Sequence, residues 1–169
     1  MPGRQLDPAQ MTGLIAYLRN MRDFNGTAVA LGDPARGHTL FDERGGCMSC
    51  HRVNGKGSHV APDLSDIGSL RAPSALQKAL TDPSSVMMPI NRPIRIVTKD
   101  NKTINGRRLN EDTYTVQLID DHEHLLSLDK SAIREYTIAE TSPMPSYKDQ
   151  FNDREISDLV AYLVTLKGN

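Results

Sequence analysis

The chain has 169 residues, of which 38% are hydrophobic and 24% charged, and its formal net charge is −1. This length suits one domain with an insert or two small domains. No apolar run approaches the ~20 residues that span a bilayer, so we expect no membrane span, and the slightly acidic balance with few aromatic residues argues against nucleic-acid binding.

The first predicted element is an amphipathic helix over residues 6–22. Its apolar residues fall on one helical face, at Met11, Leu14, Ile15, Leu18 and Met21. The same spacing recurs near the C-terminus, where Leu159-Val160-Ala161-Tyr162-Leu163 aligns with Leu14-Ile15-Ala16-Tyr17-Leu18 as an internal repeat. We assign residues 1–32 to an extra N-terminal helix, which is either the end of a preceding domain or a chance amphipathic segment.

A second, shorter helix is predicted for residues 33–41, and it contains Gly37. A glycine in a helix interior usually destabilises the helix. Close approach to another element is therefore the better reason for a glycine at this position.

The most specific motif is Cys47-Met48-Ser49-Cys50-His51, because Cys-x-x-Cys-His is the pattern of covalent haem attachment. Both thiols would bond the haem as thioethers, and His51 would be the proximal iron ligand. A redox dithiol would follow a strand and precede a helix, and a structural zinc site would need a second ligand pair. The chain has two cysteines in all, and its other histidines show no ligand spacing. We therefore predict covalently attached haem c, with its iron, as the cofactor.

Beyond residue 93 the apolar period changes from 3.6 to 2, which is typical of strands. Asp100-Asn101-Lys102 is predicted to form a hairpin turn, and Tyr114, Val116 and Leu118 are predicted to share one buried face. Five strands in so short a segment favour a small SH3-like or Sm-like barrel inserted at residues 94–139. The predicted strands cover residues 94–98, 103–109, 113–119, 124–128 and 133–138.

The last predicted helix runs from about residue 153 to residue 167. Its apolar stripe consists of Ile156, Leu159, Val160, Leu163 and Leu166. Asn152 or Asp153 can cap the N-terminus of this helix.

Together these features resemble the class I c-type cytochromes. More narrowly, they resemble a family of bacterial haem-binding domains that occur at the C-termini of large exported proteins. That resemblance rests on the haem motif, on Thr-Lys-Asp-Asn-Lys-Thr-Ile-Asn-Gly at 98–106, and on Met-Pro before Glu-Ile-x-Asp-Leu-Val-Ala-Tyr-Leu at 155–163. It implies a mainly α cytochrome c fold, α+β overall, whose two body segments are interrupted by the β insert. The body comprises residues 33–93 and 140–169.

The resemblance also implies a role for the loop after the haem motif. Gly55-Lys56-Gly57 and Ala61-Pro62-Asp63-Leu64 stand where the family has a glycine-rich loop and a Gly-Pro-x-Leu turn, although Ala61 replaces the glycine. In the family the proline carbonyl accepts the second ring proton of the proximal histidine, which makes the imidazole a better donor to iron. Pro62 is the residue of this chain that matches that proline.

The sixth iron ligand is implied to come from an irregular loop just before the last helix. Here that loop is Ser142-Pro143-Met144-Pro145-Ser146-Tyr147. A thioether suits low-spin iron and raises the reduction potential relative to a second histidine. We therefore expect Met144 on the iron opposite His51, with Met88 and Met87 as the alternatives.

The family further implies how the first and last helices of the body meet. They cross near a right angle, with a small residue on one helix and an aromatic residue on the other. Gly37 and Phe41 match the first helix and Tyr162 matches the last, so we expect these three residues to be in contact.

The predicted function is electron transfer by a single haem with His51 and Met144 on the iron, without catalytic residues and not as an enzyme. One alternative is a haem enzyme or gas sensor whose distal site is open or weakly held. Another alternative is a protein-binding module built on the β insert. An open distal site would bind carbon monoxide, whereas an iron with both axial ligands would not.

The expected partners are redox proteins and further domains of the same polypeptide, with no nucleic acid. Residues 36–92 carry seven basic and five acidic side chains, which favours an acidic docking partner. Covalent haem attachment takes place outside the bacterial cytoplasm, yet residues 1–4 lack the apolar segment of a signal peptide. We therefore expect a periplasmic or otherwise exported protein, of which this sequence is one part.

Overall fold

The computed structural model describes residues 29–168 and, before them, Asp7, Pro8, Gln10, Met11 and Leu14. The helix predicted for residues 6–22, and with it the repeat, lies largely outside the described residues. The remaining elements form a helical body, which includes a two-stranded hairpin, and a five-stranded β sheet.

The helical body is closed by α1 at its beginning and α5 at its end. The helices are α1 (Pro34–Asp42), α2 (Ile67–Leu70), α3 (Pro73–Thr81), α4 (Pro83–Val86) and α5 (Asp153–Thr165). Short 3-10 turns cover Cys47–Ser49, Pro89–Asn91 and Lys130–Ala132. The helix predicted for residues 33–41 and the last predicted helix are thus confirmed, although α5 ends two residues earlier than expected, at Thr165.

Side chains cap both of these helices. The Asp33 carboxylate accepts hydrogen bonds from the backbone N–H groups of Ala35 and Arg36, at 2.8 and 3.2 Å. Asn152 forms a reciprocal capping box with Glu155, in which each side chain accepts from the other residue's backbone N–H. Local sequence therefore sets where α1 and α5 begin.

The predicted contact between α1 and α5 is confirmed. The rings of Phe41 and Tyr162 meet edge to face with their centroids 5.3 Å apart. A Cβ atom on Gly37 would lie 2.6 Å from the carbonyl carbon of Asp158 and 2.9 Å from Cβ of Tyr162, closer than side chains pack. The absence of a side chain at Gly37 lets the two helices approach.

One apolar core fills the space between the helices and the haem motif. It contains Phe41, Cys47, Val53, Leu76, Leu80, Tyr147, Phe151, Ile156, Leu159, Val160, Leu163 and Leu166. The whole predicted stripe of α5 belongs to this core, and it continues through Leu166, which follows the helix.

The β structure consists of a two-residue hairpin and a five-stranded antiparallel sheet. The hairpin pairs β1 (Arg52–Val53) with β2 (Lys56–Gly57). The sheet contains β3 (Pro93–Thr98), β4 (Thr103–Glu111), β5 (Thr115–Asp120), β6 (Leu125–Asp129) and β7 (Ile133–Ile138), in the order β6-β5-β4-β3-β7. All five predicted strands and the predicted turn between β3 and β4 are confirmed.

The sheet differs from the prediction in two respects. The edge strands β6 and β7 do not pair with each other among the described residues, so the predicted SH3-like or Sm-like barrel is not closed by hydrogen bonds. Tyr114 precedes β5 and is 76% exposed, whereas Val116 and Leu118 are fully buried. Asp112 causes this difference, because its carboxylate accepts from the N–H groups of Tyr114 and Thr115 and forms a turn there.

The two ends of the sheet lie side by side. Ile94 of β3 is paired with Ile138 of β7, and the N–H of Ala139 donates to the Pro93 carbonyl at 2.8 Å. The chain therefore leaves the helical body and returns to it at nearly the same point.

Candidate haem-binding site

The haem motif forms one tight turn at the edge of the helical core. The N–H of His51 donates to the carbonyl of Cys47 at 2.8 Å. Cys47 is buried and Cys50 is exposed, and both thiols are free. The two cysteines are thus available for thioether bonds.

The loop from Ser58 to Leu64 runs along this turn and is hydrogen-bonded to it. The N–H of Ala61 donates to the Cys50 carbonyl, and the N–H of Leu64 donates to the Arg52 carbonyl, each at 2.8 Å. These two bonds bracket His51, since they use the carbonyls of the residues on either side of it. Pro62, which has no N–H, lies between the two donors.

This pairing places the Pro62 carbonyl against the His51 ring. The distance from Nδ1 of His51 to the Pro62 oxygen is 2.7 Å. The packing of this loop against His51 also depends on Gly57. Its φ is +95°, and a Cβ atom at this position would overlap the His51 carbonyl oxygen. The hydrogen bond expected from the family resemblance is therefore present.

His51 has one ring nitrogen left over for another ligand. Its described hydrogen bond uses Nδ1, and Nε2 has no partner among the described residues. Burial lowers the pKa of His51, the bond to Pro62 opposes that effect, and the charge of Arg107 lowers the pKa further. A neutral imidazole with an unpartnered Nε2 is what a haem iron requires, so the site fits the cofactor.

The protonation of Cys47 argues against a redox dithiol. Burial raises the pKa of the Cys47 thiol to about 11, although a hydrogen bond with Tyr147 acts in the opposite direction. Reactive dithiols instead have lowered pKa values and a large thiolate fraction. In the described part of the chain, no group of three or more His, Cys, Asp or Glu side chains could hold a metal ion.

Met144 lies on the same apolar core as the haem motif. It is partly buried and packs against the cluster that contains Cys47, whereas Met88 is 39% exposed. Met87 is partly buried and outside that cluster. The described contacts bring Met144 to the core of the site without joining it directly to His51.

The Met144 loop is fastened to α3 and α4. The N–H of Ser142 donates to Oγ of Ser84 at 3.0 Å, and Oγ of Ser146 donates to the Thr81 carbonyl at 2.7 Å. The N–H of Tyr147 donates to the Leu80 carbonyl at 2.8 Å. These bonds flank Met144 on both sides and none of them involves the sheet.

Tyr147 is a site residue that sequence reasoning did not single out. Its hydroxyl donates to the Gly45 carbonyl at 2.7 Å, its ring stacks on Phe151, and burial raises its pKa to about 12. The Met144 loop is thereby joined to the segment just before Cys47. The sequence signal for this role was a tyrosine three residues after Met144. It did not reveal the partner of the tyrosine, Gly45, which is 102 residues away in sequence.

The β sheet also reaches the site, which the sequence did not indicate. Nε of Arg107, on β4, donates to the Val60 carbonyl at 3.1 Å, and Nη2 donates to the His59 carbonyl at 3.2 Å. The sheet is therefore attached to the loop that positions Pro62.

Much of this site lies in a segment that matches a known protein family. Residues 34–112 match the family model described as Cytochrome c. The cytochrome c match begins at the first residue of α1, includes the haem motif and Pro62, and ends just after β4. It covers somewhat less than half of the chain and leaves out Met144 and α5. No curated protein matches the chain.

The match and the motif together establish the cofactor. Cytochromes c bind covalently attached haem c with its iron, and Cys47 and Cys50 have the spacing of that attachment. Haem c is the cofactor of this chain, and the match supports haem-based electron transfer with redox partner proteins. None of the described helices is long and apolar enough to cross a membrane.

Proposed function

We propose that this chain is a mono-haem c-type cytochrome domain that transfers single electrons, with His51 and Met144 as the axial iron ligands. The observation that carries the proposal is the bond from Nδ1 of His51 to the Pro62 carbonyl, because it leaves Nε2 free in a ring held by the attachment motif. When bound, the haem iron accepts and releases one electron.

The residues of the chain act by position and environment. Cys47 and Cys50 attach the cofactor, and Pro62 fixes the tautomer and orientation of the His51 ring. The bonds from Ser142, Ser146 and Tyr147 hold the Met144 loop in place. Electron transfer through the haem calls for no general acid, base or nucleophile from the protein, so the role that we propose for this domain is that of an electron carrier and not of an enzyme.

The sheet supports the proposal of a strongly curved, SH3-like insert. Leu126 and Leu128 from one edge strand and Ile133 and Tyr136 from the other pack on the same apolar core. The ladder is irregular between Arg108 and Asn110, and such irregularities bend a strand. Both edges therefore turn toward one side of the sheet.

The biological setting follows from the family resemblance. We propose that the domain is a redox relay within a larger exported, periplasmic protein, of the bacterial haem-binding-domain type. Haem c attachment outside the cytoplasm supports this setting.

The first test concerns covalent attachment. Replacing Cys47 and Cys50 together with Ala should make the haem extractable into acid acetone, because no thioether would remain. The unaltered protein should retain its haem on a denaturing gel. Haem that washes out of the unaltered protein would refute the proposal.

The second test concerns the sixth ligand. Met144→Ala should abolish the weak near-infrared sulfur-to-iron band, open the iron to carbon monoxide and lower the reduction potential. Met88→Ala is the matched control and should change none of these. The reverse result would assign the ligand to the loop before the sheet, and carbon monoxide binding by the unaltered protein would favour a gas sensor or haem enzyme.

A further inference from the structure

One side chain of β4 joins the sheet to the loop that orients His51. The guanidinium of Arg107 donates to the carbonyls of His59 and Val60, at 3.2 and 3.1 Å. These carbonyls lie three and two residues before Pro62, whose own carbonyl bonds to His51. The contact is thus one short step from the proximal ligand.

A second contact comes from the turn between β5 and β6. The N–H of His59 donates to Oε1 of Glu123 at 3.3 Å, and the hydroxyl of Ser58 also hydrogen-bonds to this carboxylate. Two separate parts of the sheet therefore dock on the same loop. The sheet is built against the site rather than attached only at its ends.

Arg107 carries a charge that is not neutralised locally. Its side chain is partly buried, and no carboxylate of the described residues lies within ion-pair distance of it. Its neighbour Arg108 instead pairs with Glu111, which also accepts from Lys130 and Tyr136. The Arg107 guanidinium bonds to the Val60 carbonyl, and the Pro62 carbonyl two residues later bonds to His51 at 2.7 Å, so the charge lies close to the proximal ligand.

We propose that the β insert tunes the cofactor through Arg107, which holds the Pro62 loop and places an uncompensated positive charge near His51, thereby raising the reduction potential. The inference rests on the proposed function. Its physical basis is that the iron site loses one positive charge on reduction, and a nearby cation therefore favours the reduced form. A partly buried charge is screened less than an exposed one. Arg107 is a positioning and electrostatic residue and does not bind the iron.

The test is a potentiometric titration of the haem-loaded chain and its variants. Arg107→Gln should shift the equilibrium toward the oxidised form by about tenfold, which is 59 mV for a one-electron couple. Arg107→Met removes the same charge but keeps the aliphatic stem. It is a second neutral variant, and it tests the effect of the charge if Arg107→Gln fails to fold. Arg107→Lys should shift the potential much less, because it retains the charge and loses only the forked hydrogen bonds.

Arg108→Gln is the matched control, because it removes an equal charge from the adjacent position, whose side chain leaves the other face of the strand and pairs with Glu111 instead of contacting the Pro62 loop. Its potential should stay close to that of the unaltered protein. The proposal is overturned if the neutral Arg107 variants keep the potential of Arg108→Gln, or if Arg107→Lys lowers it as far as they do. Failure of the proposed function would look different, since the unaltered protein would then show no reversible one-electron couple.

Discussion

At the scale of single residues, Asp158 shows how one buried carboxylate joins the two ends of the helical body. It is 2% exposed and accepts from the N–H of Asp33 at 2.6 Å and from Nε of Arg36 at 2.8 Å. The hydrogen bond from Arg36, opposed in part by burial, holds the pKa of Asp158 below its ordinary value. The charge of Asp158 is therefore part of the α1–α5 contact.

Asp158→Asn should destabilise the folded protein by about 2 kcal/mol at neutral pH, the typical worth of a hydrogen bond to a charged group. Because the folded pKa is depressed, this stabilisation is present above the unfolded carboxyl pKa of about 4 and is lost as pH falls below it. Denaturant unfolding at pH 7 and pH 3 should thus show a smaller difference between the two proteins at pH 3.

The matched control for this experiment is Asp42→Asn. Asp42 is exposed and pairs with His38 at the surface, where ion pairs contribute little. Asp42→Asn makes the same change in net charge and should leave the free energy of unfolding nearly unchanged. An equal loss in both variants would show that net charge, rather than the buried contact, is responsible.

At the scale of elements, the crossing of α1 and α5 depends on the missing side chain at Gly37. Gly37→Ala improves helix propensity, yet its methyl group would meet the backbone of Asp158. Overpacking of this kind costs about 2 kcal/mol, so the variant should unfold at lower denaturant concentration. Thr39→Ala, on the exposed face of the same helix, should change stability little, and an unaffected Gly37→Ala would contradict the close approach.

At the scale of the whole molecule, the haem-bearing body and the sheet share one junction and two docking contacts, one from Arg107 and one from Glu123. The body fastens the Met144 loop through α3 and α4, and the ends of the sheet meet at Pro93 and Ala139. The sheet should therefore be removable, because a short linker can replace it.

Joining Arg92 to Glu140 through a short Gly/Ser linker should preserve a His-Met haem spectrum. The potential should fall as it does in Arg107→Gln, and the rate of electron exchange with a redox partner should change if the sheet shields the haem edge or docks that partner. Spectroscopy and potentiometry of the shortened protein test these outcomes. Loss of the methionine band would mean that the sheet is needed to hold Met144.

The sequence by itself determined the features that depend on neighbours along the chain. Haem attachment follows from five consecutive residues, the stripe of α5 follows from helical spacing, and the strands follow from alternation between turn residues. The start of α5 at Asn152 is likewise a local capping effect. The alternation of buried and exposed residues fails at Tyr114, because the carboxylate of Asp112 forms a turn there. The spacing of apolar residues in the sequence does not reveal this turn.

Only the tertiary structure decided which distant groups meet. The Pro62 carbonyl was expected at His51 from a family resemblance, but the bonds from Ala61 and Leu64 that place it there were not foreseen. The contacts of Tyr147 with Gly45 and of Arg107 with Val60 span 102 and 47 residues. A hydrogen bond of that kind leaves no periodic trace in the sequence, since its two partners come together only when separate elements pack.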